Sequence, residues 1–138
     1  TDHGNGNLGL NGMGKNYIAS SPMFASLKDF KGSFDAMFAA MGKTPEPKTI
    51  QQVLLQFTGY QAPEAKCAML LDVTQKKGRV MFESMNTPTA QLGQLLANHT
   101  GIGWTSGAHT ADYVPVTAVG PGSEKFHGFI QNTDVFDH

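Results

Sequence analysis

Apolar residues recur three and four positions apart through the middle of the chain, the spacing that one face of an α-helix requires. Glycine and proline separate the runs, and most runs begin at a serine, threonine or proline that can start a helix. Five helices are predicted: from Ser21-Pro22, over Phe34–Met41, from Thr49 to Gly59, from Pro63, and from Thr87-Pro88. The phenylalanines and methionines on these faces are expected to form a core.

The two ends of the chain have a different pattern. Glycine and asparagine alternate near the start, which favours turns over regular structure. Near the end, short apolar runs predict strands at 101–105 and 113–119, and Asn132 or Thr133 is expected to cap a last helix. The chain thus divides into a loop segment 1–16, a mainly helical segment 17–100, and a segment 101–138 of strands and a terminal helix.

Composition narrows the possible functions. The net charge of the 138 residues is -1 and Arg79 is the only arginine, so no basic stripe is available to follow a nucleic acid backbone. No apolar run approaches the roughly 20 residues that a membrane span needs. The single cysteine, Cys67, lies in an apolar stretch and is expected to be a buried small side chain. Charged residues make up 15%, less than is usual, which suggests that part of the surface contacts another molecule or segment.

Histidines are the best candidates for chemistry in this sequence. His3 follows Asp2 in the glycine-rich start, and such a pair can give a divalent metal one carboxylate oxygen and one imidazole nitrogen. His109 lies in a polar loop before an apolar run, where functional residues often sit. His99 is expected to serve the end of the fifth helix, and His127 to be packed or exposed without a ligand role. For Asp2-His3 and His109 alike, a purely structural role stays open at this point.

Longer motifs around His109 add a family resemblance. Residues 104–116, Trp-Thr-Ser-Gly-Ala-His-Thr-Ala-Asp-Tyr-Val-Pro-Val, resemble the C-terminal metal-ligand segment of bacterial alkaline phosphatases. Residues 119–128 and 132–134 continue the resemblance, and Asp2-His3 looks like the earlier Asp-His zinc-ligand pair of that family. The resemblance is specific in the last forty or so residues and loose in the helical segment.

The resemblance implies an α/β fold, namely the C-terminal portion of an α/β/α sandwich around a mostly parallel sheet, with 17–100 as a helical insert. It implies two zinc ions and a magnesium ion at the carboxyl edge of the sheet. Asp2 and His3, in a metal-ligand loop formed by 1–16, would bind one zinc, and His109 would bind the other. The residues after His3 differ from the continuation common in bacterial members.

The implied activity is hydrolysis of phosphate monoesters through a phosphoserine intermediate, in a periplasmic or secreted enzyme that is a homodimer when complete. The nucleophilic serine and the phosphate-binding arginine of the family are expected upstream, outside this chain, in a missing N-terminal part. Ser20-Ser21 precedes a proline and reads as a helix start, and Arg79 lies in a polar turn. We therefore expect the chain to be inactive by itself and to show an incomplete sheet.

Two alternatives remain from the sequence. Cofactor-independent phosphoglycerate mutases also have an Asp-His-Gly-Asn segment and a His-Thr pair before a Val-Pro strand, and the run from Asp2 to Asn5 favours them. A non-enzymatic metal-binding module is the other, since Asp2, His3 and His109 could close a single site. The Gly-Ile-Gly-Trp run and the long helical segment favour the phosphatase.

Overall fold

The computed structural model describes residues 3–11, 20–78, 80–131 and 133–137, so Asp2, Arg79, Asn132 and His138 lie outside the described residues. Within these ranges the helices are α1 (Ser20–Ala25), α2 (Phe34–Met41), α3 (Pro47–Thr58), α4 (Glu64–Thr74), α5 (Pro88–Thr100) and α6 (Asp134–Asp137). The strands are β1 (Gly4–Asn5), β2 (Leu8–Leu10), β3 (Ile102–Trp104) and β4 (His109–Thr110). Short 3-10 turns lie at Ser26–Asp29, Glu83–Met85 and Ser123–Lys125.

Helices α2 and α5 begin and end where the sequence predicts. The Ser33 hydroxyl accepts from the Ala36 N–H and the Thr87 hydroxyl from the Ala90 N–H, each at 3.2 Å. Each bond satisfies one of the amide groups that the first turn of a helix leaves without a partner. Gly101 ends α5 in the left-handed conformation, with φ of 70°, which glycine adopts without steric cost.

The predicted start of α3 is wrong. The helix begins at Pro47, two residues before Thr49, and Glu46 stands at its N-cap with no side-chain capping bond. Proline at the first helical position explains the earlier start, because its fixed φ suits the first turn and its missing N–H is not needed there. Helix α4 starts at Glu64, directly after the predicted Pro63.

Helices α2 to α5 pack their apolar faces into one core. Its fully buried members include Met37, Leu54, Cys67 and Leu92, each with no exposed surface. The expectation that Cys67 is a small buried side chain is confirmed. The aromatic rings of Phe30, Phe34, Phe38, Phe57 and Tyr60 pack against this cluster from its edges. The helical segment therefore has a hydrophobic centre of its own.

A two-stranded antiparallel ribbon packs against the helical core. Strand β2 pairs with β3 and strand β1 pairs with β4. Between the two paired stretches, Gly6 and Asn7 face the four residues 105–108, so one side of the ribbon bulges. The Gly6 carbonyl accepts from the amides of Thr105 and Ser106, at 2.9 and 3.3 Å, and holds the base of the bulge.

The strand predicted at 113–119 is wrong, since residues 111–119 form no helix or strand in the structure. A strand requires hydrogen-bonded neighbours, and the described strands pair only in the antiparallel ribbon. Apolar side chains near this segment are left in solvent: Tyr113 is 83% exposed and Val119 is 95% exposed. Within the described residues, this apolar segment therefore has no strand partner.

The last part of the described chain contains little regular secondary structure. Helix α6 starts at Asp134, close to the predicted start at Asn132 or Thr133. The Asp134 carboxylate accepts from the Gln131 amide at 2.8 Å, which closes a turn before the helix. None of the described helices is long and apolar enough to cross a membrane.

Candidate metal centre

The ribbon brings together two histidines that are more than a hundred positions apart. The imidazole rings of His3 and His109 stack with their centroids 3.6 Å apart and their planes 26° apart. Both residues come from the segments that the sequence singles out for metal binding. The structure thus places these two predicted ligands side by side.

Strand register is the cause of this convergence. Asn5 pairs with His109 and Gly4 pairs with Thr110, so the chain just before β1 runs beside β4. The Gly6 amide also donates to the Ala108 carbonyl at 2.9 Å, which extends the pairing past Asn5. Because the bulge takes up the two extra residues within 105–108, the pairing on both sides of it is a regular ladder.

A backbone contact orients the His3 ring. Its Nδ1 atom lies 3.1 Å from the Gly4 carbonyl oxygen. When Nδ1 carries the proton and donates to this carbonyl, the lone pair is on Nε2, which is then the nitrogen able to bind a metal. Backbone carbonyls commonly fix the tautomer of metal-binding histidines in this way.

Three residues beside the rings were not identified from the sequence. Gly4 packs so closely against Thr110 that a Cβ atom at position 4 would lie 2.6 Å from the Thr110 hydroxyl oxygen. That hydroxyl is buried and has no hydrogen-bond partner in the part of the chain that is described. The same Cβ position lies 3.6 Å from an Asp112 carboxylate oxygen. In the sequence, Asp112 could have been noticed because it follows His109 by three residues. Its position beside Gly4 is visible only in the structure.

An open cavity of about 460 Å³ adjoins the ribbon at His109. Asn5, Gly6, Trp104 and the bulge form one wall, and the start of α5 and the ring of Phe34 form the other. The bulge also contacts the turn before α5, because the Gly107 amide donates to the Ser84 carbonyl at 3.2 Å.

The remaining histidines have other surroundings. The His99 ring stacks on Tyr60 at 4.9 Å and its Nε2 lies 3.1 Å from the Thr58 carbonyl oxygen. His99, predicted to serve the end of α5, therefore links the ends of α3 and α5. His127 is exposed.

The described residues do not complete a metal site. Within residues 3–11, 20–78, 80–131 and 133–137, no three histidine, cysteine, aspartate or glutamate side chains are grouped to hold a metal ion. Asp2, the third predicted ligand, lies outside these ranges. A catalytic zinc takes about three protein ligands, so further donors must join His3 and His109 if zinc binds here.

Comparison with a solved structure gives the fold class. The chain is similar to the crystal structure of Thermus thermophilus alkaline phosphatase with a TM-score of 0.67 and 24% sequence identity. The similarity covers 80% of this chain and 25% of that chain. The fold is thus part of an α/β domain of the alkaline phosphatase type, as the sequence predicts.

Sequence comparison identifies the family. The alkaline phosphatase family model matches residues 39–138, so the chain belongs to the alkaline phosphatase family. It is 28% identical to alkaline phosphatase 4 of Bacillus subtilis over 133 residues, which are 96% of this chain and 26% of the relative. Alkaline phosphatase 3 of the same organism is 55% identical over 38 residues, which are 28% of this chain and 8% of that relative. The chain spans about a quarter of the length of the first relative.

Proposed function

We propose that this chain supplies metal ligands to the active centre of a zinc-dependent alkaline phosphatase of the length of its relatives. That enzyme would hydrolyse phosphate monoesters through a phosphoserine intermediate. The observation that carries the proposal is the stacking of the His3 and His109 rings 3.6 Å apart. Family membership through residues 39–138 supports the reaction class and disfavours the phosphoglycerate mutase alternative.

The side chains at the ribbon suit zinc. Imidazole is a common zinc ligand, and two histidines whose rings are in contact can each bind one ion of a two-metal site. When bound, two zinc ions and a magnesium ion would supply positive charge to the attacking and leaving oxygens of the phosphoryl transfer. We also propose that Asp2, the residue before His3 in the sequence, binds the same zinc ion as His3.

The residues of this chain then have two tasks. His109 pairs with Asn5 and His3 directly precedes β1, so both histidines would offer ring nitrogens at the same end of the ribbon. The Gly4 carbonyl sets the tautomer of His3 by accepting from Nδ1. The serine nucleophile and the arginine that holds phosphate would come from the part of the enzyme outside this chain.

The test is the substitution His109→Ala in a protein of the length of the relatives, with His127→Ala as the matched control. We expect His109→Ala to lose one zinc per protomer and at least about 100-fold in kcat/KM, because one ligand of a zinc with about three is removed. His127 is exposed, so the His127→Ala variant should keep its zinc content and its kcat/KM. Zinc is measured by elemental analysis and activity with a phosphate monoester.

Two outcomes would contradict the proposal. Normal zinc content and turnover in His109→Ala would remove His109 from the metal centre. A single tightly bound ion in the unsubstituted protein, without phosphatase activity, would indicate the non-enzymatic metal-binding module.

A further inference from the structure

A turn before α5 contacts the loop that leads to His109. The Gly107 amide donates to the Ser84 carbonyl at 3.2 Å, and the hydroxyl oxygens of Ser84 and Ser106 lie within hydrogen-bond distance, at 3.1 Å. We call these contacts between Ser84 and residues 106–107 the clasp. The clasp joins the helical segment to the ribbon two residues before His109.

The clasp requires glycine at position 107. A Cβ atom there would lie 2.8 Å from the Ser84 carbonyl oxygen and 3.3 Å from the Ala90 Cβ atom. The first distance is shorter than Cβ contacts in proteins, so a side chain at this position would push the loop away from the turn. Because Gly107 does not have a positive φ, it is the close approach and not the backbone conformation that excludes a side chain.

The helical side of the clasp is anchored in the core. Ser84 lies in the turn Glu83–Met85, and the Met85 side chain is only 1% exposed. The Gln91 side-chain amide donates to the Met85 carbonyl at 2.9 Å, and Thr87 caps α5 two residues further on. Ser84 is therefore held beside a buried residue and offers its carbonyl and hydroxyl to the loop from a fixed position.

The ribbon side of the clasp connects it to His109. The Ser106 hydroxyl accepts from the Ala108 amide at 3.0 Å, and the Ala108 carbonyl accepts from the Gly6 amide at 2.9 Å. Ala108 is thus held between the clasp on one side and the residue after β1 on the other. His109 follows Ala108 directly, so a shift of the loop at the clasp would move the His109 backbone.

We propose that the clasp positions His109 for metal binding, with Ser84 as a positioning residue that binds no metal itself. The inference rests on the metal-binding function proposed above. The His109 side chain is exposed, so its place is set mainly by the backbone that leads to it and by stacking on His3. Loss of contacts that orient a metal ligand commonly lowers metal affinity by roughly 10- to 100-fold. The helical segment thus tunes a metal centre whose proposed ligands all lie outside that segment.

The experiment measures zinc affinity by competition with a fluorescent chelator in a protein of the length of the relatives. Gly107→Ala should weaken the binding of one of two zinc ions about tenfold, because the added methyl group separates the loop from the turn. Ser84→Ala removes only the contact between the hydroxyls and should weaken the same ion about threefold. Ser84→Thr keeps a hydroxyl and should restore most of the affinity. Glu83→Gln changes an exposed neighbour on the same turn and should leave the affinity unchanged.

Two further measurements separate positioning from a general loss of structure. The visible spectrum of cobalt(II) bound in place of zinc depends on the ligand geometry, and it should change in Gly107→Ala and stay the same in Glu83→Gln. The double variant Ser84→Ala with Gly107→Ala should bind zinc as Gly107→Ala does, since the clasp is already open. Ser84 is exposed, so Ser84→Ala should fold and decides the question even if Gly107→Ala does not fold.

The outcomes separate this inference from the proposed function. Unchanged zinc affinity in Ser84→Ala would overturn the positioning role of Ser84 and leave the proposed metal centre intact. Losses that add up in the double variant would show that Ser84 and Gly107 act separately, which would also overturn the clasp. Failure of the unsubstituted protein to bind zinc would reject the proposed function itself and this inference with it.

Discussion

At the scale of single residues, Gly4 holds the two histidines at their separation. A side chain at position 4 would meet the Thr110 hydroxyl at 2.6 Å, and Thr110 is β-branched and has few rotamers to move to. We expect Gly4→Ala to push β1 from β4 and to lower zinc affinity in the full-length protein about tenfold, as loss of supporting contacts does at other zinc sites. Competition with a fluorescent chelator measures the affinity.

The controls for Gly4→Ala are available on the same ribbon. Gly9 lies on β2 and a Cβ atom there would meet nothing within 4 Å, so Gly9→Ala should leave zinc affinity unchanged. Adding Thr110→Ala to Gly4→Ala removes the obstructing hydroxyl and should restore part of the affinity. A loss in Gly9→Ala as large as in Gly4→Ala would show that the spacing of the strands is not the cause.

The second prediction for a single residue concerns Cys67. Burial raises the pKa of its thiol above the ordinary value of 9.0, and the nearby charge of Glu64 raises it further. The thiol therefore stays protonated in the folded protein at pH 8 and should react with a disulfide reagent at least about 100-fold more slowly than in denaturant. A rate close to that of the unfolded chain would contradict the burial.

The raised pKa of the Cys67 thiol also makes the stability of the fold depend on pH. Above pH 9 the unfolded chain loses the thiol proton before the folded chain does, so the free energy of unfolding falls as pH rises. The pKa of Tyr60 is raised as well, by burial first and by Cys67 second, which acts in the same direction above pH 10. Cys67→Ala should make this decline with pH shallower in urea unfolding series.

At the scale of elements, the N-cap residue of α5, Thr87, is expected to contribute to the free energy of unfolding. The Thr87 hydroxyl accepts from the Ala90 amide, and Thr87→Ala should lower the free energy of unfolding by about 1 kcal/mol. Thr87→Ser keeps an accepting hydroxyl and should cost less than about 0.5 kcal/mol. Urea unfolding followed by circular dichroism compares the two. Equal losses would mean that packing of the threonine methyl, not capping, matters at this position.

Elements with local signals were predictable from the sequence, and the pairing of distant elements was not. Ser33 and Gly42 mark the two ends of α2, and Thr87 marks the start of α5, through contacts within a few residues, so these helix ends were predicted closely. The strand predicted at 101–105 is observed as β3, but its partners at 4–10 lie in the segment where turns were expected, because no local pattern marks the pairing. The strand predicted at 113–119 failed for the same reason, since strand partners are not encoded in the segment itself.

The candidate site shows the same division. His3 and His109 were selected through motifs and a resemblance, and the structure brings their rings together. The contribution of Gly4, Thr110 and the cavity at Trp104 follows from the register of two strands, which periodicity does not reveal. Whether His3 and His109 bind zinc stays a prediction.

At the scale of the whole molecule, the described surface after residue 110 is strongly apolar. Tyr113 and Phe129 pack on each other at 4.7 Å and yet are 83% and 84% exposed, and Phe136 is 94% exposed. Exposed apolar area of this kind marks a surface that other protein normally covers. We infer that residues outside this chain, in a protein of the length of its relatives, cover it.

This surface leads to a prediction for the 138-residue chain in isolation. It should self-associate in analytical ultracentrifugation and bind a hydrophobic dye, and it should not hydrolyse phosphate monoesters with zinc and magnesium added. The family resemblance matches no residue of this chain to the serine nucleophile, and His3 and His109 are too few ligands for two zinc ions. Turnover that a chelator abolishes would contradict this. Ser106, which lines the cavity with His109, would be the first nucleophile to test, before Ser20, Ser21 and Thr105.

The long separation of the two histidines has a consequence for the order of folding. Strands β2 and β3 are joined by residues 11–101, and closing an unstructured loop of that length costs about 4 kcal/mol in chain entropy before any strand pair forms. The core of α2 to α5 is built from closer contacts and can form first, which shortens the loop that the ribbon must close. Helix signal should therefore recover during refolding before the ribbon closes, and the His3–His109 pair should be among the last contacts made.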